Sequence, residues 1–460
     1  MAVGLRVSAA DLALQAARHG GQDALASVTR ERSLLLRFAA SRPTQSTVID
    51  DVTVELAVLR DGHVGRATTN GEGDKALEDC ARRAVAAAEV AAAAGRGEFP
   101  GFQPPPEPFL VSGHDPDTAR LDPETGGAAL SACFDVAREA GLEAHGIWTA
   151  AETERAVAVA PDAAVSESTT DAFMKVICLA PGAGDGRSGY AAETAVAAGR
   201  IDARALTNKA VRKALLAAEP AELAPGEYPV VFEPDAVGWL CDLLAGTAFN
   251  GLAHAEGRGA LVGRLGQTVA APSINLSDSP RFVGTLPRGF DAEGTPKAPM
   301  PLIQDGVAHR VVHDMRSAAL MGERSTGHAL APGGDPDGPH PSNLVLLGGG
   351  AADEAELCGH VERGIYVTRL WYANVVRPKE TLVTAVTRDG TFLIEDGRIT
   401  RPLHDLRLTD SVLGILSRTQ ALTRGLRLTT GGEFYGRRFA SGVVAPGLLA
   451  SAVRFTGPAG

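Results

Sequence analysis

The sequence predicts an α+β fold with an N-terminal α/β domain, a small α+β middle domain and a strand-rich C-terminal domain. Two stretches rich in proline and glycine, residues 96–118 and 217–227, divide the 460-residue chain into three segments. Hydrophobic residues recur at helical spacing in the first two segments, whereas short alternating runs dominate after residue 261. The expected domains are therefore residues 1–100, 116–220 and 227–457.

The first segment predicts a helix, a strand hairpin and a second helix. Residues 10–17 form a short helical run. Residues 47–59 alternate between apolar and polar side chains, and a turn at Asp61-Gly62 leads into a second extended run at 63–68. Residues 75–94 are apolar at helical spacing and hold few helix breakers, so we expect a helix there.

The middle segment predicts extended runs between two helices. The helices are expected at residues 127–140 and 202–217, with Asp202 as the N-cap of the second. Extended runs are expected at 146–153, 156–159 and 171–179. This order predicts a small α+β domain.

The last segment begins with one strand and one helix and then becomes mostly strand. We expect a strand at 228–232 and a helix from Asp235, as N-cap, to residue 248. The further expected strands are 273–276, 344–347, 365–370, 382–386, 391–394 and 398–401. The last two flank Glu395-Asp396-Gly397, which is typical of a hairpin turn.

Composition excludes several classes of protein. The net charge of −11 opposes nucleic-acid binding, which requires a basic face. Residues 1–14 show no secretory leader pattern, and no apolar run is long enough to span a membrane. The five scattered cysteines form no CxxC pair, so we expect buried, reduced thiols. A cytoplasmic protein is expected.

An ordered series of short motifs resembles a known family. The motifs lie at residues 263–266, 275–280, 289–294, 302–306, 324–329, 341–344 and 364–368. In this order they resemble the TldD/PmbA family, and more closely its PmbA (TldE) branch. Residues 37–41, followed by a strand hairpin and an alanine-rich helix, also fit, so the resemblance covers most of the chain and implies a fold of the TldD/PmbA type.

The resemblance implies proteolysis by a two-subunit enzyme. TldD-type subunits bind zinc through an HExxxH helix and a distant cysteine, whereas TldE-type subunits lack these residues and pair with a TldD-type subunit. Counting back from Gly263 without gaps places the two family histidines at Asp242 and Thr247 and the glutamate at Leu243. The family cysteine falls nearest Tyr435. Leucine cannot transfer a proton, and neutral threonine and tyrosine are poor zinc ligands.

The resemblance therefore implies no catalytic residue, no metal and no other cofactor in this chain. Zinc is expected in an HExxxH-bearing, TldD-like partner. The substrate is expected to be a peptide, a small protein or a natural-product intermediate with a peptide or amide bond. This chain would shape the cleft and stabilise the partner.

A few residues in the motif loops are candidates for substrate contact in the cleft. Asp291 and Glu293 are a carboxylate pair that could either cap backbone N–H groups or act in a cleft. The remaining candidates are Thr326, Gly327, His328 and Asn343. Ser325, Thr326 and His328 bring hydroxyls and an imidazole together in sequence, although sequence proximity does not establish catalytic geometry.

Other histidines and other functions remain open alternatives. His309 and His313 would share one face of a strand and could bind a metal with Asp314, or simply form a polar face. His254 is expected in a solvated loop, and His340 in a long Gly/Pro-rich loop that could contact a ligand. The alternatives to the heteromeric peptidase are a non-enzymatic homodimeric binding or adaptor protein and a self-sufficient hydrolase of unusual type.

Overall fold

The structure is a computed structural model of the 460-residue chain. It describes residues 8–95, 98–107, 111–160, 162–182, 187–430 and 438–458. Within these ranges the chain is a mixed α+β protein, as the sequence predicts, and its strands form three sheets. No helix in the described ranges is both long and apolar enough to cross a membrane.

The N-terminal half contributes one antiparallel sheet. Its strands are β1 (Ala24–Ala39), β2 (Arg42–Arg60), β3 (His63–Thr69), β4 (Glu143–Val159), β5 (Ala163–Leu179) and β6 (Ser188–Ala195). The strand order is β3-β2-β1-β4-β5-β6, in which β1 pairs with β4 from Leu25 opposite Val159 to Phe38 opposite Gly146. The first two sequence segments, expected as two domains, thus share one continuous sheet. The three-domain division stays a prediction.

The described residues of this half include the helices α1 (Ala9–Gly20), α2 (Asp74–Ala94), α3 (Pro116–Ala119), α4 (Pro123–Glu139) and α5 (Ala203–Leu216). Helices α1 and α2 pack with Ala26, Val28 and Val54 in one apolar cluster, and α4 and α5 pack with Trp148 and Met174 in another. The side chains of neighbouring strand residues point to opposite faces. The helices therefore cover one face of the sheet and leave the other to the C-terminal half.

That second face is polar for much of its area. Ser27 and Thr29 of β1, Arg155 of β4, and Glu167 and Thr169 of β5 line a cavity together with C-terminal residues. A smaller apolar part of the face, formed by Leu25 and Val157 among others, packs against Phe290. The two halves of the molecule therefore meet through a largely polar surface.

The C-terminal half holds two further sheets. Its strands are β7 (Gly226–Phe232), β8 (Leu276–Asp278), β9 (Met300–Gln304), β10 (Val307–Ala308), β11 (Asn343–Leu346), β12 (Arg363–Arg377), β13 (Leu382–Glu395), β14 (Arg398–Pro402), β15 (Leu406–Ser411), β16 (Thr419–Leu422), β17 (Arg427–Thr429), β18 (Gly442–Ala445) and β19 (Leu448–Pro458). Its helices are α6 (Pro234–Thr247), α7 (Gly251–Ala255), α8 (Met315–Met321), α9 (Glu354–Gly359) and α10 (Val412–Ser417).

One of these sheets closes on itself. Its order is β12-β7-β19-β15-β13-β14, and β12 also pairs with β13, so the first five strands form a ring. The other sheet has the order β10-β9-β8-β11-β18-β17. Helix α6 contacts strands of both sheets, and its residues Val237, Leu240 and Leu244 are fully buried in their shared core. This packing fixes the position of α6.

Local predictions met the structure in different ways. The hairpin at Glu395-Asp396-Gly397 is confirmed as the turn between β13 and β14. Asp202 caps α5 by accepting from the backbone N–H of Ala205. The N-cap prediction for α6 was wrong, because the helix begins after Glu233 with Pro234 at its first position, and Asp235 lies inside it. All five cysteines are buried with free thiols.

Candidate functional site

Helix α6 carries the positions that the resemblance assigns to zinc binding. Asp242 is exposed on the helix surface, and its carboxylate lies 3.7 Å from the Nε2 atom of His340. Leu243 packs against the hydrophobic core. The Thr247 hydroxyl donates a 2.7 Å hydrogen bond to the backbone carbonyl of Leu243, one turn back on the same helix. Tyr435 lies outside the described residues.

These side chains do not fit a zinc ion. A zinc site needs about three nitrogen, oxygen or sulfur ligands directed at one point. Here one exposed carboxylate stands beside a leucine and a threonine whose hydroxyl is engaged by its own helix. In the ranges that the structure describes, no group of three His, Cys, Asp or Glu side chains could hold a metal ion.

Asp242 lies at a cavity of about 120 Å³ between the two halves of the molecule. Three aromatic side chains line it: Tyr190 of β6, Trp239 of α6 and Trp371 of β12. The guanidinium of Arg369 lies between two of these rings, 4.5 Å from the centre of Tyr190 and 4.8 Å from that of Trp371. The cavity thus offers aromatic walls with a carboxylate on α6.

A buried ionic network lies next to this cavity. Lys213 of α5 lies 2.6 Å from a carboxylate oxygen of Glu233, and Arg427 pairs with Asp235. The hydroxyl of Tyr366 also donates to Glu233, at 2.9 Å. Burial raises the pKa of Glu233, but the charges of Lys213 and Arg427 outweigh it and leave that pKa below its usual value. The network ties α5 to the start of α6 and so fixes the two halves relative to each other.

A second polar region lies within the loops between β8 and β11. We call it the buried carboxylate cluster; its residues are Asp278, Asp291, Glu293, Lys297, Asp314 and His328. Lys297 Nζ lies 3.2 Å from Asp278 Oδ1, and His328 Nε2 lies 3.3 Å from the same oxygen. Burial raises the pKa of Asp278, but the charge of Lys297 and the contact with His328 lower it by more than burial raises it. This carboxylate is therefore ionised. Burial and the charge of Lys297 lower the pKa of His328 to about 4.

Asp291 and Glu293 differ in how the backbone holds them. Asp291 accepts backbone N–H bonds from Glu293, Thr295 and Ala329, at 2.8–2.9 Å. Burial raises the pKa of Asp291 to about 6, although these hydrogen bonds lower it in part. The carboxylate is therefore ionised at neutral pH. Burial and then the charges of Asp291 and Asp314 raise the pKa of Glu293 well above its usual value. Burial and these neighbouring charges therefore favour the protonated form of Glu293.

The sequence-predicted contact residues are thus brought together, but they are shielded from solvent. Asp291, Glu293, His328 and Asn343 are each at most 2% exposed, and Asn343 donates its amide N–H group to the carbonyl of Leu286 at 2.6 Å. Their observed contacts organise the loops. Their use in substrate binding stays a prediction.

Thr326 is half-buried and its hydroxyl lies 2.9 Å from His328 Nδ1. The Asp278 carboxylate is at the other ring nitrogen, Nε2. In a Ser-His-Asp triad the hydroxyl is at Nε2 and the carboxylate at Nδ1, the reverse of this arrangement. The Thr326 hydroxyl also accepts the backbone N–H of His313 at 2.7 Å, which is a structural role.

Family models match two parts of the chain. The model described as the PmbA/TldA metallopeptidase C-terminal domain matches residues 225–457, just over half of the chain. The model for PmbA/TldA metallopeptidase domain 1 matches residues 24–88. The chain belongs to the PmbA/TldD metallopeptidase family.

Named relatives and solved structures of the PmbA/TldD family agree with this assignment. A metalloprotease of Methanothermobacter thermautotrophicus is 28% identical over 223 residues, 48% of each chain. Metalloprotease PmbA of Escherichia coli O157:H7 is 24% identical over 207 residues, 44% of this chain and 42% of that one. The chain therefore spans about half the length of the curated relatives it matches.

The likeness in fold extends over nearly the whole chain. TldE from Thermococcus kodakarensis superposes with a TM-score of 0.83 at 19% identity, covering 96% of this chain and 99% of that one. A crystal structure of a Thermotoga maritima protein superposes with a TM-score of 0.81 at 20% identity, covering 94% and 96%. These likenesses show the fold of the PmbA/TldD family.

The remaining histidine interpretations need correction. His309 is exposed and follows β10, whereas His313 is buried near Ser317, so the two do not share a strand face as expected. Asp314 is the N-cap of α8 and accepts from the N–H of Ser317. His254 lies on the short helix α7 and is half-buried, not in a solvated loop. Of these residues, Asp314 has a structural role, as the cap of α8.

Sequence reasoning missed the polar groups where the two halves meet. Neither Arg288 nor Thr153 was a candidate, and both line a cavity between the N-terminal sheet and the C-terminal loops. Thr153 lies in an alternating run and Arg288 precedes one of the recognised motifs, so neither has a local signal. Only the packing of segments far apart in sequence brings them together.

Proposed function

We propose that this chain is the zinc-less, TldE-like subunit of a heteromeric TldD/TldE-type peptidase. The observation that supports this most directly is α6, where the positions of the family's HExxxH motif hold Asp242, Leu243 and Thr247. A water bound to zinc also needs a base to accept its proton, and Leu243 cannot supply one. The zinc and the base come from a TldD-like partner.

The contribution of this chain is to bind and position an extended peptide or peptide-like substrate. The cavity beside Asp242 is lined by Tyr190, Trp239 and Trp371, which suit the side chain of a residue in such a substrate. An extended peptide can gain further affinity from main-chain hydrogen bonds, which require no particular side chain here. Binding without catalysis matches an α6 that holds no zinc ligands.

The test reconstitutes the enzyme from purified subunits. Peptide hydrolysis is measured with this chain alone, with a TldD-like, HExxxH-bearing partner alone, and with both, and zinc is measured in each sample. We expect activity only in the mixture and zinc only in the partner. Full activity of the partner alone would contradict the proposal, as would stoichiometric zinc and hydrolysis with this chain alone.

A matched control separates assembly from catalysis. The partner is prepared with the glutamate of its HExxxH motif changed to glutamine, which removes the base and keeps the zinc ligands. We expect the mixture to assemble normally by native mass spectrometry and to lose hydrolysis. A stable homodimer of this chain that does not bind the partner would instead support the adaptor alternative and overturn the proposal.

A further inference from the structure

The polar face of the N-terminal sheet borders a second cavity, distinct from the one beside Asp242. Its volume is about 40 Å³, and it lies between strands β1, β2, β4 and β5 on one side and residues 286–292 and 438–440 on the other. A water molecule needs about 10–15 Å³ by this measure, so the cavity holds about three water-sized groups. This is the size of a carboxylate or a small oxyanion.

Arg288 brings a buried positive charge to this cavity. The residue is 8% exposed, and its guanidinium donates one hydrogen bond, at 2.9 Å, to the backbone carbonyl of Ala440. No carboxylate of the described residues lies within ion-pair distance of it. A guanidinium has five N–H donors, so most of those on Arg288 have no protein acceptor among the described residues. A buried cation with free donors is an anion-binding group.

The other arginines of the cavity are already neutralised. Arg155 lies 3.0 Å from a carboxylate oxygen of Glu167, whose second oxygen accepts the N–H of Gly289 at 2.7 Å. Arg438 is paired with Asp171. Glu55 of β2 is the other carboxylate on the wall and is half-buried. Burial and then the charge of Arg155 lower the pKa of Arg288 to about 9, so it remains charged at neutral pH without a partner of its own.

Hydroxyl groups complete the lining. Thr153 is 6% exposed, and its hydroxyl has no hydrogen-bond partner within the part of the chain that the structure describes. Ser27 and Thr29 add two more hydroxyls from β1. An oxyanion beside Arg288 would accept from these groups and would satisfy the Thr153 hydroxyl, which otherwise bears the cost of burial without a hydrogen bond.

The cavity also reaches solvent. The ring of Phe439 lies over the guanidinium of Arg288, at 4.1 Å from its central carbon, and Phe439 is 40% exposed. A ligand can therefore approach past this side chain.

We infer that this cavity is an oxyanion-binding site, in which Arg288 and the Thr153 hydroxyl hold a carboxylate or phosphate-like group. The chemistry fits two sources: the C-terminal carboxylate of a peptide, or a free inorganic oxyanion. The inference does not depend on the proposed peptidase role, because the site is formed by this chain alone.

The test measures binding to the purified full-length chain without any partner. The probes are inorganic phosphate, a short N-acetylated peptide with a free C-terminal carboxylate, and the same peptide as its C-terminal amide. Binding of each probe is measured by isothermal titration calorimetry and by the shift in Tm. Binding of the acid but not of the amide or phosphate identifies a peptide carboxylate. Binding of phosphate identifies a free oxyanion. Absence of binding by all three up to about 10 mM overturns the inference.

Four variants test the assigned groups. Arg288→Met is expected to weaken binding at least tenfold, and Thr153→Val about tenfold, since each removes donors to a charged ligand. Glu55→Gln is expected to strengthen binding because it removes a negative charge from the wall. Arg424→Met, at an exposed arginine elsewhere, is the matched control and should bind as the unmodified chain does.

The variants also protect the test against misfolding. If Arg288→Met does not fold by circular dichroism, Thr153→Val decides, since it preserves the shape of the side chain. Unchanged affinity in a folded Thr153→Val variant, together with unchanged or lost binding in Glu55→Gln, would overturn the assignment of the site.

Discussion

Asp242 on helix α6 and the charged residues of the buried carboxylate cluster differ in their exposure to solvent. The helix presents Asp242 to solvent, with His340 3.7 Å away. The cluster hides Asp278, Lys297 and His328 almost completely from solvent and pairs them with one another. Three of the seven motifs that carry the resemblance contribute residues to the cluster, whereas the positions that the resemblance assigns to zinc binding lie on the helix.

The reason for this difference is backbone hydrogen bonding. The loops between β8 and β11 have little regular structure, so their buried N–H groups need other acceptors. Asp291 accepts three of them, Asp278 accepts that of Asn343, and Glu293 accepts that of Met315. The motif residues replace the hydrogen bonds that a helix or a sheet would supply. Helix α6, by contrast, forms its own backbone hydrogen bonds.

The largest expected effect is on the ion pair at the centre of the cluster. Asp278→Asn leaves Lys297 charged, buried and without its partner, so the free energy of unfolding should fall by about 3–5 kcal/mol in urea denaturation. The double variant Asp278→Asn with Lys297→Met removes both charges and should recover part of this loss. Glu380→Gln, at an exposed ion pair with Arg377, should change stability by less than about 0.5 kcal/mol. A loss below about 1 kcal/mol for Asp278→Asn would contradict this account.

Two glycines give a direct comparison of the two regions. Gly327 has φ +78°, and a Cβ atom there would lie 2.7 Å from the backbone oxygen of Pro296. Gly327→Ala should therefore cost about 1–3 kcal/mol. Gly246 lies in α6 with open space around its Cβ position, so Gly246→Ala should stabilise the chain by about 0.5–1 kcal/mol. Thermal unfolding of the two variants should give Tm shifts of opposite sign, and shifts of the same sign would refute the comparison.

The raised pKa of Glu293 makes stability depend on pH. Its pKa is higher in the folded chain than in the unfolded chain, because of burial and then the charges of Asp291 and Asp314. The folded state therefore loses stability relative to the unfolded state as pH rises from about the ordinary value of 4.5 through the folded pKa. Glu293→Gln mimics the protonated form and removes this loss. The free energy of unfolding of the variant, minus that of the unmodified chain, should increase with pH above that value.

Asp291→Asn tests the neighbouring carboxylate, whose main role is to accept backbone hydrogen bonds. Asp291 already accepts three backbone N–H bonds, so an amide nitrogen in place of one oxygen would face donors and lose hydrogen bonds. We expect this variant to be destabilised by about 1–3 kcal/mol, measured by urea denaturation. A Glu293→Gln variant whose stability relative to the unmodified chain did not change with pH would show that folding does not raise the pKa of Glu293.

The sequence predicted local structure far better than long-range pairing. The hairpin at residues 391–401 follows from a turn signal and two adjacent runs, and the structure confirms it. Strand β1 was not predicted. It contains the charged run Arg30-Glu31-Arg32, which is buried only in part and only because β2, β4 and the C-terminal half surround it. The pairing of β1 with β4 joins residues more than a hundred positions apart, and no local pattern encodes it.

The site shows the same limit. The resemblance placed Asp242, Leu243 and Thr247 on one helix, and they do lie on α6. The partners of the motif residues were not predictable, because Asp278 and Lys297 meet only when the loops fold over β8. Arg288 and Thr153 belong to different halves of the molecule and have no motif in common. Sequence patterns therefore locate helices, strands and family membership, whereas the partners of buried charged side chains can be read only from the three-dimensional structure.

The smallest expected effect is on Asp242 itself. Since its carboxylate is exposed and its contact with His340 is long, Asp242→Ala should change the free energy of unfolding by less than about 0.5 kcal/mol. In a mixture with a TldD-like partner, as proposed above, it should alter kcat/KM by no more than about twofold. Trp239→Ala, one turn earlier in α6 and on the wall of the same cavity, removes an aromatic surface and should lower kcat/KM more than Asp242→Ala does. A large loss from Asp242→Ala alone would mean that this carboxylate contacts the substrate or the metal of the partner, and the contrast between a carboxylate without a structural role on α6 and a buried, structural carboxylate cluster would no longer hold.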